Sequence, residues 1–148
     1  MPKRSEIVQA ARNFLETPFI HQGRKVGVGV DCVGLPLCVA ESFGLRDKAG
    51  IPMLSTDNGT YGPQPQSDIV LAECKRRLLE IPEIKEGCVL ALKSASVVCH
   101  SAIVSKAGDE FCVIHADGTP GTSKVVEVPL GRWKSRIKGI FDFPSVED

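Results

Sequence analysis

An α+β fold, with N-terminal helices packed on a C-terminal antiparallel β-sheet, follows from the order of patterns along the chain. Helical periodicity is confined to the first half, up to about residue 79. Five short β runs follow between Cys88 and Phe143. Turn signals separate them at Lys106-Ala107-Gly108-Asp109 and at Asp117-Gly118-Thr119-Pro120-Gly121. The 148 residues suit one core, so residues 1–148 are read as a single domain. A hydrophobic content of 43% with 24% charged residues excludes a disordered, collagen-like or coiled-coil chain.

Ser5 to Glu16 reads as the first helix, because Ile7, Ala10, Ala11, Phe14 and Leu15 recur at helical spacing. Ser5 serves as its cap and Pro18 as its stop. Gly23, Gly27 and Gly29 let the chain turn tightly before Val30. Asp31 is the natural N-cap of a second, mostly apolar helix through Leu35, Leu37, Val39, Ala40 and Phe43, with Gly44 as its stop. Pro36 falls in its opening turns, where a missing N–H costs least. Residues 46–66, with Pro63 and Pro65, read as a loop, and Ser67 caps a third helix to about Leu79. The β runs are Cys88–Leu92, Val97–Val104, Glu110–Ala116, Val125–Val128 and Ile137–Phe143.

Lys+Arg and Asp+Glu number 18 each, so no global basic field draws nucleic acid or anionic lipid. No apolar run approaches a membrane span, and Met1-Pro2-Lys3-Arg4-Ser5-Glu6 lacks the apolar stretch of a signal peptide. The expected location is cytoplasmic. The cluster Lys75-Arg76-Arg77 reads as a solvated helix face. Arg132, Lys134, Arg136 and Lys138, interleaved with Trp133 and Ile137, read as an amphipathic strand.

Six cysteines (Cys32, Cys38, Cys74, Cys88, Cys99, Cys112) show no Cys-x-x-Cys pair, and free thiols are expected in place of disulfides. A hairpin turning symmetrically about Ala107-Gly108 sets Val104 against Phe111, Ala102 against Val113 and His100 against His115. Both histidines then share one sheet face, while Cys99 and Cys112 take the other. That register forbids a zinc site built from Cys99, His100, Cys112 and His115, and neither a metal nor an organic cofactor is expected. Cys32 is different from the other thiols. It falls in the first turn of a helix, where unpaired N–H groups and the helix dipole stabilise a thiolate. It reads either as a nucleophile or as a buried thiol in a turn of small residues.

Thr17-Pro18-Phe19-Ile20-His21-Gln22-Gly23-Arg24, followed by Gly29-Val30-Asp31-Cys32-Val33-Gly34-Leu35, resembles the active-site region of NlpC-type cell-wall peptidases. These are papain-like cysteine enzymes that cut the peptide stems of peptidoglycan. The spacing is similar to the subgroup found with bacteriophage tails and gene-transfer particles. His100-Ser101-Ala102-Ile103-Val104 resembles that family's base-bearing strand, and Phe111-Cys112-Val113-Ile114-His115-Ala116 the strand with its third catalytic group. The ending, Val126 to Leu130 and Trp133 to Pro144, is similar as well.

The resemblance implies a papain-like NlpC-type fold in which Cys32 is the nucleophile, His100 the general base and then acid, and His115 its orienter. It further implies a thioester intermediate and a bond between D-glutamate and a diamino acid in a peptidoglycan peptide. Other phage tail proteins are the implied partners, and the virion tail is an alternative location. Phe19, His21, Arg24 and Asp31 are the candidate substrate-binding residues. Phe19 stands where the family usually has tyrosine and keeps the ring without the hydroxyl. Arg24 has forked donors that suit a stem-peptide carboxylate. Gly87-Cys88 replaces a Gly-Asp pair common in the family. Two other functions stay open: a structural tail component with weak or no catalysis, which Phe19 favours, and an amidase or acyltransferase on the same scaffold.

Overall fold

A computed structural model describes residues 1–56 and 67–148 of the chain. Helix α1 (Arg4–Arg12) buries Ile7, Val8 and Ala11 along one stripe. Ser5 lies inside this helix and does not cap it; the entry is closed by Glu6, whose Oε2 accepts the Lys3 amide at 2.7 Å. The helix also ends earlier than Pro18 requires. The amides of Phe14, Leu15 and Thr17 bond three residues back, so the chain tightens into turns after Arg12.

Strands β1 (Arg24–Lys25) and β2 (Gly29–Val30) form a small hairpin ahead of helix α2 (Gly34–Ser42). Gly44 ends α2 as expected, at φ 64°, where a left-handed residue costs glycine nothing. The Leu45 amide bonds the Ala40 carbonyl and the Gly44 amide bonds that of Glu41, a Schellman closure.

Of the expected 46–66 loop, residues 57–66, including Pro63 and Pro65, lie outside the described residues. The remainder holds a bridge between Arg46 and Pro52 and a 3₁₀ turn at Met53–Thr56. Helix α3 (Ile69–Arg77) is preceded by Asp68, not capped by Ser67, and the Asp68 carboxylate accepts the Val98 amide at 2.8 Å. Arg77 is buried, donating to Glu73 at 2.8 Å and to the Met53 carbonyl at 2.5 Å, so the basic cluster is not wholly a solvated face.

The chain then forms β3 (Leu79–Glu80), β4 (Val89–Ser94), β5 (Val97–Ala107), β6 (Glu110–Asp117), β7 (Lys124–Pro129) and β8 (Ile137–Asp142). They make one antiparallel sheet in the order β3-β8-β4-β5-β6-β7. The five expected β runs are all strands of this sheet. The basic stretch around Trp133 is a 3₁₀ turn, Gly131–Arg136, leading into β8 rather than a continuous strand. Among the described residues no helix is long and apolar enough to cross a membrane.

Alternation of side chains explains the two-sided core. Val89, Ala91, Ile103, Ile114 and Phe141 pack with the three helices, while Leu90, Leu92, Val104 and Val113 form a second cluster on the other face, covered partly by Trp133 and Ile137. Burial on both faces is why β4 reads as an almost unbroken apolar run.

Phe141 is fully buried, and truncating a buried ring leaves a cavity as well as removing contacts. Phe141→Ala is expected to lower the unfolding free energy by ~3–5 kcal/mol in urea titration. Val26→Ala, at a residue 49% exposed, is expected to change it by no more than ~0.5 kcal/mol.

Candidate active site

The turn carrying Cys32 is built around the buried side chain of Asp31. Its Oδ1 accepts the Gly34 amide at 2.8 Å and Arg24 Nη1 at 2.9 Å, and its Oδ2 accepts the Gln22 amide at 2.8 Å. Arg24 Nη1 also donates to the Gly23 carbonyl at 2.8 Å. The helix itself starts at Gly34 with Val33 at its N-cap, so Asp31 is not the expected cap residue, and Cys32 lies in the turn just ahead of α2, not in its first turn. Asp31 ties that turn to the helix, its carbonyl also accepting the Leu35 amide at 3.1 Å. Close approach dictates the glycines here. A Cβ on Gly34 would lie 2.3 Å from the Gly23 carbonyl oxygen, and one on Gly23 would lie 2.6 Å from the Gly29 backbone.

Three consecutive residues of β5 meet this turn and the cleft. Leu92 pairs with His100 while Lys93 pairs with Val98, so Cys99 is the extra residue of a β-bulge. Its carbonyl accepts Cys32 Sγ at 3.5 Å. Ser101, buried, donates its hydroxyl to the Cys32 carbonyl. Between them, His100 Nε2 lies 2.9 Å from His115 Nδ1, with the two rings edge to face at 5.0 Å.

The expected hairpin register is corrected here. Val104 pairs with Val113 and Ile103 with Ile114, two residues away from the symmetric turn, because Ala107 pairs directly with Glu110 around Gly108. His100 and His115 are therefore diagonal, not directly opposed. A shift of two preserves the side-chain face, so they still meet.

Trp133 completes the pair, stacked on His100 at 5.2 Å and edge-on to His115 at 5.5 Å. The sequence placed Trp133 on a strand and missed this contact, since nothing local shows that the 3₁₀ turn folds back over the histidines.

Cys32, His100 and His115 line one cleft of about 560 Å³ with Phe19, His21 and Trp133. The Phe19 ring packs on Gly118, where a Cβ would lie 3.2 Å from it. Asp31 lines the same cleft. Arg24, expected to face a substrate carboxylate, is directed onto Asp31 instead. Among the described residues no group of three or more His, Cys, Asp or Glu is placed to hold a metal ion.

Burial, and then the Asp31 carboxylate, push the Cys32 thiol up to about 12. Burial and the neighbouring His115 lower His100 to about 3. His115 is also lowered, chiefly by burial, with Asp117 opposing and Arg132 reinforcing the shift. Both shifts run against the expected dipole-stabilised thiolate. The helix amide of Gly34 is directed at Asp31, and desolvation of the sulfur outweighs what remains. At neutral pH the two groups rest as thiol and neutral imidazole.

No family profile and no curated protein matches the sequence. Among solved structures, the chain is similar to an NlpC/P60 family protein from Bacillus cereus, with TM-score 0.66 and 18% identity. That match covers 96% of this chain but only 40% of the other, so this chain spans less than half of that protein's length. The NlpC/p60 domain of the peptidoglycan hydrolase SagA matches at TM-score 0.59 and 22% identity, over 95% of this chain and 99% of that one. An N-acetylmuramoyl-L-alanine amidase from Bacteroides uniformis matches at TM-score 0.56 and 16% identity, over 93% and 96%. These likenesses show the papain-like α+β fold of NlpC/P60 proteins.

The depressed histidines set a sign for acid stability. The unfolded chain binds protons near pH 6.5 that folded His100 refuses until about pH 3, so stability is complete above pH 6.5 and falls as pH drops through that window. Thermal melts between pH 6.5 and 5, above the carboxylate range, should show Tm falling with acidification in the parent chain. His100→Gln should flatten that slope.

Proposed function

We propose that this chain is a cysteine endopeptidase acting on peptidoglycan stem peptides, as one catalytic domain of residues 1–148. The observation that carries the reading is the 2.9 Å His100–His115 bond in the same cleft as Cys32. With His100 Nε2 engaged by His115, the other ring nitrogen, Nδ1, is the one that serves the thiol.

In this mechanism His100 Nδ1 takes the Cys32 proton as Sγ bonds the substrate carbonyl carbon. The backbone N–H of Cys32 receives the developing oxyanion. Collapse breaks the C–N bond, and the proton on His100 passes to the leaving amine. Water then attacks the thioester with His100 again as base, releasing the acid product and restoring the thiol. His115 holds the tautomer that keeps Nδ1 free for the proton, and the stacked Trp133 fixes the ring. Phe19 and His21 are substrate-facing residues. Asp31 and Arg24 act by shaping the loop.

The bond between γ-D-glutamate and a diamino acid, and an association with phage tails, rest on the resemblance of residues 17–35, 100–104 and 111–116. The amidase reading has support from the B. uniformis amidase neighbour, which has the same fold. It shares the nucleophile and the thioester, and only the product separates the two.

Incubating purified muropeptides with the chain and with Cys32→Ala, followed by mass spectrometry, tests the reading. A stem-peptide fragment made only by the parent is expected. His100→Ala should reduce the rate by ~10²–10⁴ or more, and His115→Ala by less, since water can replace part of an orienter's role. A product released at the lactyl–alanine amide would move the assignment to an amidase. No product from muropeptides or sacculi would favour a non-catalytic tail component.

A further inference from the structure

We propose that Arg132 and Arg136, on the 3₁₀ turn Gly131–Arg136, form a carboxylate-binding subsite that reads a free acid group on the substrate peptide. The subsite rests on the endopeptidase reading for its peptide and on the structure for its chemistry.

Both arginines line the cleft that holds Cys32 and His100, and both are exposed. Arg4, Arg12, Arg24, Arg76 and Arg77 each hold a carboxylate at 2.7–2.9 Å. Among the described residues Arg132 and Arg136 hold none. The Arg132 guanidinium sits 5.7 Å from the centre of the Trp133 ring, and Arg136 reaches the Lys93 carbonyl at 3.4 Å.

The acidic groups of the same cleft are already engaged. Asp31 is surrounded by Arg24, Gln22 and Gly34, and Asp117 accepts the Thr119 amide at 2.9 Å. Asp31 is balanced by Arg24 while Asp117 keeps its charge, so the two guanidiniums of Arg132 and Arg136 outnumber the one remaining carboxylate and leave the cleft with a net positive charge, although the chain as a whole is neutral. Its effect reaches the histidines, since Arg132 contributes to lowering His115. Trp133, stacked on His100, fixes the distance between this turn and the reacting groups. Guanidinium forks favour carboxylates by paired hydrogen bonds. A γ-linked D-glutamate offers such a group, because linkage through its side chain leaves the α-carboxyl free.

The test uses the full chain carrying Cys32→Ala, which binds without turnover. Calorimetry compares two synthetic stem peptides that differ only in the D-glutamate α-group, free acid or carboxamide. The acid is expected to bind at least about tenfold more tightly, a difference of about 1.4 kcal/mol. Adding Arg132→Gln and Arg136→Gln should bring the two peptides within about twofold, with the melting temperature unchanged because both side chains are exposed. Equal affinity in the Cys32→Ala chain, no binding of either peptide, or a preference that survives both arginine substitutions would overturn the subsite. Acid-dependent binding by a chain that cleaves no muropeptide would uphold the subsite and defeat the endopeptidase reading. Cleavage without acid preference would do the reverse.

Discussion

Asp31 is 2% exposed, and a carboxylate taken out of water is tolerated only where hydrogen bonds replace its hydration. The replacements come from two directions. Gln22 and Arg24 approach from the loop, and Gly34 approaches from the first turn of α2. The carboxylate is consequently the joint between loop and helix, and the next residue, Cys32, is held by it. The same requirement accounts for the glycines. A side-chain carbon on Gly34 would run into the Gly23 carbonyl, and one on Gly23 into the Gly29 backbone.

On the sheet side, the bulge at Cys99 does comparable work. One extra residue in β5 brings a carbonyl to the Cys32 sulfur and leaves His100 beside it in sequence, while Ser101 bonds back to the Cys32 carbonyl. Loop and sheet are joined by hydrogen bonds at Cys32, from its thiol to the Cys99 carbonyl and from the Ser101 hydroxyl to its own carbonyl. His115 and Trp133 then fix His100 from β6 and from the turn before β8, so four separate segments meet around the cleft that Cys32 and His100 line.

The electrostatics follow from how closely protein atoms surround this junction, where Cys32 and His100 are half-buried. Desolvation disfavours both the thiolate and the imidazolium; Asp31 is committed to the loop and helix, and Asp117, which favours the charged histidines, does not offset the burial. Both groups are thereby held toward their neutral forms. Guanidinium charge lies further out in the same cleft, on the turn carrying the exposed Arg132 and Arg136.

Much of the architecture was legible along the chain because it is local. Helical spacing, the Gly44 stop and five alternating β runs all depend on residues a few positions apart, and they placed His100 and His115 on the right strands and Cys32 at the approach to α2. Where the local signals were ambiguous, neighbours decided. Ser5 and Ser67 look like caps, but Glu6 closes one helix entry and Asp68 is drawn off to Val98. Face survived an error in register, because a two-residue slip leaves the side-chain alternation unchanged. What the tertiary structure alone decided is non-local: the bulge at Cys99, the direction of Arg24 onto Asp31, the stacking of Trp133 on His100, and the charge state of the thiol. Each depends on which distant segments exclude water from a given atom, and the order of residues does not state that until the chain is folded.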